Sequence, residues 1–212
     1  YITLTVNDGA HISLRFCAAA ANTPVRIVSG SNTQDITVGS IFWYGTASYI
    51  ADGNTMTVYG DITRFDCSRN YRNLTALDVS QNTQLKYLYC YGNNLTTSAL
   101  DDIFCALPDR TDKSNGVIRP VYGDTSSNHA IVLATNKANA IAKNWNVQYY
   151  KNNSDIPATS GTYTCPQPNM SRYITLTVAD VAAIKLDLKA AAAGTPVRIV
   201  SGSNMRNITV GN

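Results

Sequence analysis

The chain offers few side chains for covalent or acid–base chemistry. Cys105 and His129 have the residue types of a thiol nucleophile and its general base. However, Cys105 falls on the apolar face of a predicted helix and His129 falls in a polar segment. Neither a glycine-rich oxyanion element nor an orienting acid accompanies them. The pattern therefore predicts a protein that is not an enzyme, with a thiol hydrolase that uses Cys105 as the alternative.

Two pairs of carboxylates have alternative interpretations. Asp101 with Asp102, and Asp109 with Asp112, have the residue types of a cation site or of the acid pair in glycoside hydrolysis. The same residues also suit a helix start and an ordinary polar turn. The chain has two histidines and no C-x-x-C pair, and it lacks the G-x-G-x-x-G, P-loop and H-E-x-x-H motifs. We therefore expect no metal site and no cofactor.

Hydrophobic residues that recur 23 positions apart indicate the elements that would position any site. The leucine-rich repeat pattern L-x-x-L-x-L-x-x-N, a strand followed by a turn, fits residues 62–70 and 85–93, and a weaker copy covers residues 74–82. Alternate strand residues would point inward, and each asparagine would bond the backbone of its bend. Stacked copies would bury one shared core. The predicted repeat core consists of Ile62, Phe65, Cys67, Asn70, Leu74, Leu77, Val79, Asn82, Leu85, Leu88, Cys90, Asn93 and Leu95.

Cys67 and Cys90 occupy equivalent inward positions of these copies. The alternatives are a disulfide, a metal pair, or a stack of small buried hydrophobic side chains. Adjacent strands about 4.8 Å apart would permit a bridge, but side chains that point the same way have poor geometry for one. The pattern therefore favours two buried thiols. Because the chain has five cysteines, at least one is unpaired in a monomer.

Tyrosines alternate with the inward residues of the copy at residues 85–93. Tyr87, Tyr89 and Tyr91 therefore share the opposite, exposed face of that strand. Tyrosine is favoured at recognition surfaces because it offers a large contact area and a hydroxyl with little entropy to lose. The alternative is structural, since tyrosine fits pleated surfaces well. The predicted ligand-binding face consists of Tyr87, Tyr89, Tyr91, Arg64, Asp66, Ser68 and Arg119.

Further strands and helices are predicted on both sides of the repeats. Leu100, Ile103 and Phe104 form one face of a helix over residues 98–108, and residues 128–145 also have helical spacing. Alternating apolar residues predict strands at 2–6, 11–16, 24–28, 35–39, 55–60, 116–123 and 145–150.

The first 40 residues return near the end of the chain, so the chain is modular. They align without a gap to residues 173–212, with 28 identical positions. The open strand edges of the second copy predict self-association, by docking on the chain's own cap or on a neighbouring molecule. The predicted domains are a β-rich cap module (1–61), a leucine-rich repeat stack with a closing unit (62–150), a linker (151–172) and a truncated second copy of the cap module (173–212).

The sequence resembles a known family. The phrases ITRFDCSRN, LTALDVSQN, LYCYGNNLT and ALDDIFCALPDRTDKSNG are similar to those of the leucine-rich repeat surface proteins of Bacteroidetes, of the internalin-J-like and BspA-like kind. The resemblance covers about residues 1–150, although only two full repeats precede the closing segment, fewer than relatives usually carry. It implies a mainly β fold with some α, in which an N-terminal all-β cap precedes a short leucine-rich repeat solenoid. It also implies adhesion to host proteins, other bacteria or a biofilm matrix.

Composition narrows the class of partner. Charged residues make up 15% of the chain, below the roughly 25% of an average soluble protein, which suits a secreted or cell-surface protein. A net charge of +3 without a basic stretch argues against nucleic acid, and no apolar run approaches the about 20 residues of a membrane span. We therefore expect a non-catalytic surface or secreted protein that binds a protein partner through its repeat sheet. The alternative is a glycan-binding module of a surface carbohydrate-processing system.

Overall fold

The computed structural model describes residues 1–41, 47–166, 195–201 and 204–210, with side chains for the first two ranges. The chain divides into two compact units, Tyr1–Pro168 and Asn169–Asn212. Strands account for 39% of the residues and helices for 12%, which confirms the mainly β class.

Most elements of the first unit match the predicted strands and helices. The strands are β1 (Ile2–Val6), β2 (His11–Ala18), β3 (Thr23–Ser29), β4 (Asn32–Val38), β5 (Ala47–Ile50), β6 (Thr55–Tyr59), β7 (Ile62–Asp66), β8 (Leu74–Asp78), β9 (Tyr87–Tyr89), β10 (Gly116–Val121) and β11 (Trp145–Tyr149). The helices are α1 (Thr97–Ala106), α2 (His129–Leu133) and α3 (Ala138–Ile141). Strand β5 was not predicted, and residues 128–145, predicted to be helical, contain the two short helices α2 and α3.

One sheet of the first unit is antiparallel, with the strand order β4-β3-β6-β1-β8. Its alternation is clear in β1, where Ile2, Leu4 and Val6 are buried and the two threonines between them are not. β-Branched and apolar residues at every second position favour this half-buried strand. The sheet therefore has one face directed to the core.

The second sheet contains the candidate site and has the order β11-β10-β9-β7-β2-β5. The four strands β7, β9, β10 and β11 are parallel, whereas β2 runs antiparallel to both β7 and β5. Arg64 lies beside Tyr87, 23 positions later, as the repeat spacing predicts. Val117 lies on the other side of Tyr87. Segments that are distant in the chain are therefore direct neighbours in this sheet.

The weaker repeat copy at residues 74–82 has a different place. Its strand β8 pairs antiparallel with β1 in the first sheet, where Leu77 lies beside Leu4. It therefore does not lie between β7 and β9, which pair directly with each other. Leu74, Leu77 and Val79 are buried as predicted, because both sheets direct apolar side chains into the same core.

The asparagines of the two full repeat copies bond the backbone at the bends, as predicted. Asn70 Nδ2 donates to the carbonyl oxygens of Cys67 and Ser13. Asn93 Nδ2 donates to the carbonyl oxygens of Cys67 and Cys90, and Asn93 Oδ1 accepts from the Asn70 backbone N–H. These bonds replace the ladder bonds that the backbone loses when it turns. Asn82 differs, because its buried Nδ2 has no partner in the described part of the chain.

A single hydrophobic core extends across both sheets and the helices. It includes Phe65 and Leu88 of the parallel strands and Leu4 of β1. Each of the two sheets contains strands from both sides of the predicted boundary between cap and repeat stack, at residues 61 and 62. The predicted cap and the predicted stack therefore share their sheets and their core. Helix α1 has its predicted face, since Leu100, Ile103, Phe104 and Leu107 are buried, and the Thr96 hydroxyl caps its first turn through the Ala99 N–H.

Residues 151–166, predicted as part of a linker, are instead packed into the first unit. Ile156 is 1% exposed, and its N–H donates to the Val147 carbonyl. Gly161 donates to Thr135, and Cys165 forms a disulfide with Cys105. The segment is held by backbone hydrogen bonds and by a disulfide rather than by an apolar face. Its polar composition therefore suggested a linker. The remaining linker residues, 167–172, lie outside the described residues.

The described part of the second unit is a hairpin of β12 (Thr195–Ser201) and β13 (Asn204–Val210). Thr195 lies beside Val210, just as Thr23 lies beside Val38 in the β3–β4 hairpin. The 172-residue repeat therefore preserves the strand register. Residues 174–178 and 183–188, which repeat the predicted strands at 2–6 and 11–16, lie outside the described residues, and self-association stays a prediction.

Candidate functional site

The parallel sheet brings most of the predicted ligand-binding residues together. Asp66 of β7 lies beside Tyr89 of β9, which lies beside Arg119 of β10. One row below, Arg64 lies beside Tyr87. Residues from three segments of the chain thus share one face, opposite the buried Phe65, Leu88 and Ile118.

Exposure on this face differs from the prediction at three positions. Tyr91, Asp66 and Ser68 are only 3%, 3% and 8% exposed. Tyr87 and Tyr89, together with the arginines beside them, are half-buried. Tyr91 is covered because aromatic side chains that directly follow β10 and β11 fold over it, not because it enters the core.

Those covering rings are Tyr122 and Tyr150. The Tyr91 and Tyr150 ring centroids are 4.3 Å apart, and Tyr122 lies 5.7 Å from Tyr91 and 5.8 Å from Tyr150. Tyr89 meets Tyr150 edge-on at 5.7 Å. Such offset and tilted geometries suit aromatic pairs. Tyr150 was not predicted from the sequence. The feature that could have indicated it is that a tyrosine directly follows each of the parallel strands β10 and β11.

Cationic groups lie over several of these rings. The Arg64 guanidinium carbon lies 4.0 Å from the Tyr87 centroid, and that of Arg119 lies 4.7 Å from the Tyr89 centroid. Cations at such distances are attracted by the ring faces. We call the following residues the tyrosine–arginine surface: Arg64, Arg69, Lys86, Tyr87, Tyr89, Tyr91, Arg119, Tyr122 and Tyr150.

This surface is a basic patch, which the sequence did not predict. It holds four basic side chains, and the adjoining Arg15 pairs with the carboxylate of Asp66. The chain as a whole has 17 basic and 14 acidic residues, which gives a net charge of +3. The five basic groups together with Asp66 carry a charge of +4, which exceeds that of the entire chain. The patch escaped detection because its members come from positions 15 to 119 and meet only through strand pairing.

A cleft of about 400 Å³ opens at the edge of the tyrosine–arginine surface. Its polar wall is the ion pair of Arg15 and Asp66, in which Asp66 also accepts from the Ser68 N–H at 2.9 Å and the Ser68 hydroxyl at 2.5 Å. Arg69 and Tyr71 form the rim, and Tyr91 and Tyr150 also line the cleft. The arrangement offers ring faces, hydroxyls and guanidinium groups at one concave place.

The backbone at the rim of the cleft is unusual. Arg69 has φ +61° and Tyr71 has φ +48°, although neither is glycine. Bulky residues rarely adopt this left-handed conformation because Cβ crowds the backbone. The equivalent of Arg69 in the next repeat copy is Gly92, with φ +68°. The repeat geometry therefore suits glycine at this position, and the first copy has an arginine there instead.

The partly buried tyrosines remain neutral hydroxyl groups. Burial raises the pKa of Tyr89, and burial raises the pKa of Tyr91 as well. Each phenol is therefore protonated at neutral pH and is able to donate a hydrogen bond as well as accept one.

The cysteines do not provide a nucleophile. Cys67 and Cys90 are free and fully buried, as expected, and burial raises the pKa of Cys67 well above its ordinary value and that of Cys90 to about 12. Cys105 is bonded to Cys165. The alternative of a thiol hydrolase that uses Cys105 is therefore wrong for this structure, because the sulfur already forms a covalent bond.

The aspartate pairs have structural hydrogen bonds. Asp101 accepts from the Asn136 N–H, Asp102 accepts from the Tyr163 hydroxyl, and Asp109 accepts from the Thr111 N–H. Across residues 1–41 and 47–166, where side chains are described, no three His, Cys, Asp or Glu side chains converge as metal ligands would.

No helix in the described ranges is long and apolar enough to cross a membrane. No protein-family model, curated protein or solved structure matches this chain.

Proposed function

We propose that this chain is a non-catalytic binding protein that presents the tyrosine–arginine surface to a protein partner. The observation that carries the proposal is the convergence of five tyrosines and three arginines on one face of the parallel sheet. Tyrosine and arginine, together with tryptophan, are enriched among the residues that dominate binding energy. Ring-to-ring and ring-to-guanidinium contacts already hold these side chains in place, so binding would cost little further side-chain entropy.

We infer that the frame behind this surface is a short leucine-rich repeat solenoid with an N-terminal cap, of the kind found in the Bacteroidetes surface proteins that the sequence resembles. The support is the spacing of paired residues, 23 positions between Arg64 and Tyr87 and 30 between Tyr87 and Val117. The bends held by Asn70 and Asn93 add to it. In such a frame each strand adds one row of side chains to a rigid face.

The inferred location is the cell surface or the extracellular medium, where the role would be adhesion. The disulfide between Cys105 and Cys165 supports this location, because disulfides form and persist in oxidising compartments. Several modules joined in tandem would add avidity to a modest single-site affinity.

A capture experiment tests the proposal. The chain, immobilised at physiological salt, is compared with Tyr87→Ala/Tyr122→Ala for retention of proteins from host and bacterial surface extracts. The matched control is Tyr1→Ala/Tyr59→Ala, which removes two exposed tyrosines in ring contact outside the tyrosine–arginine surface. We expect a retained protein that the first variant loses by about tenfold or more and the control keeps. Equal capture by both variants would contradict the proposal.

Glycan binding is a second candidate function, and the cleft at the edge of the surface favours it. A concave site of about 400 Å³, lined by three tyrosines and five polar or charged residues, falls within the usual size range of small-ligand sites. A glycan array probed with the chain and with Tyr89→Ala tests this candidate. Specific glycan signals that the substitution lowers would support it, whereas an array without signal would count against it.

A further inference from the structure

We infer that the cleft beside Arg69 and Tyr71 binds a sugar residue that carries a carboxylate, such as a uronic acid. The inference rests on the second candidate function, glycan binding, and it names the ligand class. The carboxylate would be bound by the Arg69 guanidinium at the rim, and the sugar ring would lie against the tyrosine rings.

Arg69 occupies a position whose backbone conformation suits glycine. A left-handed φ of +61° at an arginine is unfavourable, and the equivalent position of the next copy is glycine with φ +68°. An arginine at a glycine position costs stability. What the substitution provides is a guanidinium at the rim of the cleft, and a strained residue that projects into a cleft is typical of a binding site.

The charge of the cleft favours an anionic ligand. Arg69 is exposed, and its guanidinium lies 5.6 Å and 5.9 Å from the ring centroids of Tyr91 and Tyr122. In the part of the chain that the structure describes, it has no ion pair with a carboxylate. The deeper carboxylate, Asp66, is already bonded to Arg15. An incoming carboxylate therefore meets a net positive cleft, and a guanidinium fork binds such a group in a bidentate way.

The shape of the cleft suits a sugar ring. Tyr71 is 69% exposed although it is aromatic, and it stands at the opening of the cleft beside the half-buried Tyr150. Ring faces of this kind bind the apolar face of a sugar, while the Arg15 guanidinium, whose side chain is 30% exposed, offers N–H groups to its hydroxyls. The volume of about 400 Å³ suits one or two sugar residues rather than a flat protein partner.

The experiment measures binding of three probes by isothermal titration calorimetry or ligand-observed NMR. Tetragalacturonic acid carries both the sugar ring and the carboxylates. Its methyl ester keeps the ring and removes the charge, and a hexaglutamate peptide keeps the charge and removes the ring. We expect the acid to bind at least about tenfold more tightly than the ester and the peptide, and to weaken as salt rises.

Two variants and two matched controls test the residues. Arg69→Gly restores the residue that the repeat geometry suits, so we expect an unfolding temperature equal to or above that of the unchanged chain, together with a tenfold or greater loss of affinity. Tyr71→Ala is expected to lose affinity to a similar degree. Arg26→Ala and Tyr59→Ala, exposed residues outside the cleft, are expected to bind as the unchanged chain does.

Each other outcome contradicts the inference and shows which part of it is wrong. Equal binding of the acid and its ester would leave glycan binding in place but remove the role of the carboxylate. Tighter binding of the peptide would assign the cleft to acidic protein segments. No binding of any probe would overturn the inference, whereas the glycan array decides the second candidate function and the capture experiment with Tyr87 and Tyr122 decides the protein-binding proposal.

Discussion

At the scale of single residues, the asparagines at the bends link neighbouring strands. The Asn93 amide donates to two carbonyl oxygens on adjacent strands, Cys67 and Cys90, and accepts from the N–H of Asn70. All three partners are backbone groups that the turn removes from the ladder. One side chain therefore satisfies three buried polar groups, which is costly to replace.

Asn93→Ala should lower the free energy of unfolding by about 1–3 kcal/mol, because it removes the side-chain partner of the Cys90 carbonyl and of the Asn70 N–H and leaves the Cys67 carbonyl with Asn70 Nδ2 alone. The matched control is Asn82→Ala, at the equivalent place of the weaker copy, where the buried amide Nδ2 has no partner. That change should cost less. Urea unfolding of both variants, with the slope compared as well as the midpoint, measures the difference. Equal losses would show that the bonds at Asn93 contribute little.

The buried thiols should be chemically inert in the folded protein. Cys17, Cys67 and Cys90 are free and buried, and burial raises the pKa of each. Since the thiolate is the reactive form, little of it exists at pH 8. We expect Ellman's reagent to label almost none in the native, non-reduced chain and all three after denaturation. Rapid labelling before denaturation would contradict the burial of these residues.

At the scale of elements, close packing fixes the distance between the last two parallel strands. Gly116 opens β10 beside Trp145 of β11, and a Cβ added to Gly116 would lie 2.5 Å from the indole Cε3. Trp145 is 1% exposed, and its Nε1 donates to the Pro108 carbonyl. The indole is therefore held from both sides and has little room to move.

Gly116→Ala should lower the free energy of unfolding by about 1–3 kcal/mol, because the added methyl overlaps the fixed indole. Gly123→Ala is the control, since the nearest atom to its added Cβ is the flexible Lys151 Cδ at 3.5 Å. We expect that change to stay within about 0.5 kcal/mol. Thermal unfolding followed by tryptophan fluorescence compares the two, and a neutral Gly116→Ala would mean that the indole has alternative positions.

Local patterns predicted most of the strands, α1 and the pairing of β7 with β9, but not the place of β8. Residues 62–70 and 74–82 have the same apolar spacing, yet β7 joins the parallel sheet and β8 pairs with β1 in the other one. The choice depends on which distant partner has an open edge, and no local residue records that. The tyrosine–arginine surface shows the same limit. The tyrosines of β9 were predictable from alternation, whereas Tyr150 reaches them only because β11 closes the parallel ladder.

At the scale of the whole molecule, the first unit depends on one core and on one covalent link. The core passes between the two sheets without a break, so we expect residues 1–166 to unfold in a single cooperative step. The disulfide joins α1 to the segment after β11, with a sequence separation of 60. A loop of that length restricts the unfolded chain considerably.

Cys105→Ser/Cys165→Ser should lower the free energy of unfolding by up to about 4 kcal/mol, since the loop that the bond closes would be free in the unfolded state. Urea unfolding with and without reductant measures this effect. Reductant should destabilise the unchanged chain by a similar amount and leave the double variant unaffected. An unchanged midpoint in the double variant would mean that the packing of Ile156 and Gly161 holds the segment alone.

The same bond determines how the chain would respond to a mechanical load. Tension that enters at Cys165 passes through the sulfur atoms directly to Cys105, so residues 106–164 bear none of the pulling force. About 60 residues stay as stored length, on the order of 200 Å when extended at about 3.5 Å each. Under flow or shear, β10 and β11 would therefore keep their shape while the thiols remain joined, and a reducing agent would release that length in one step.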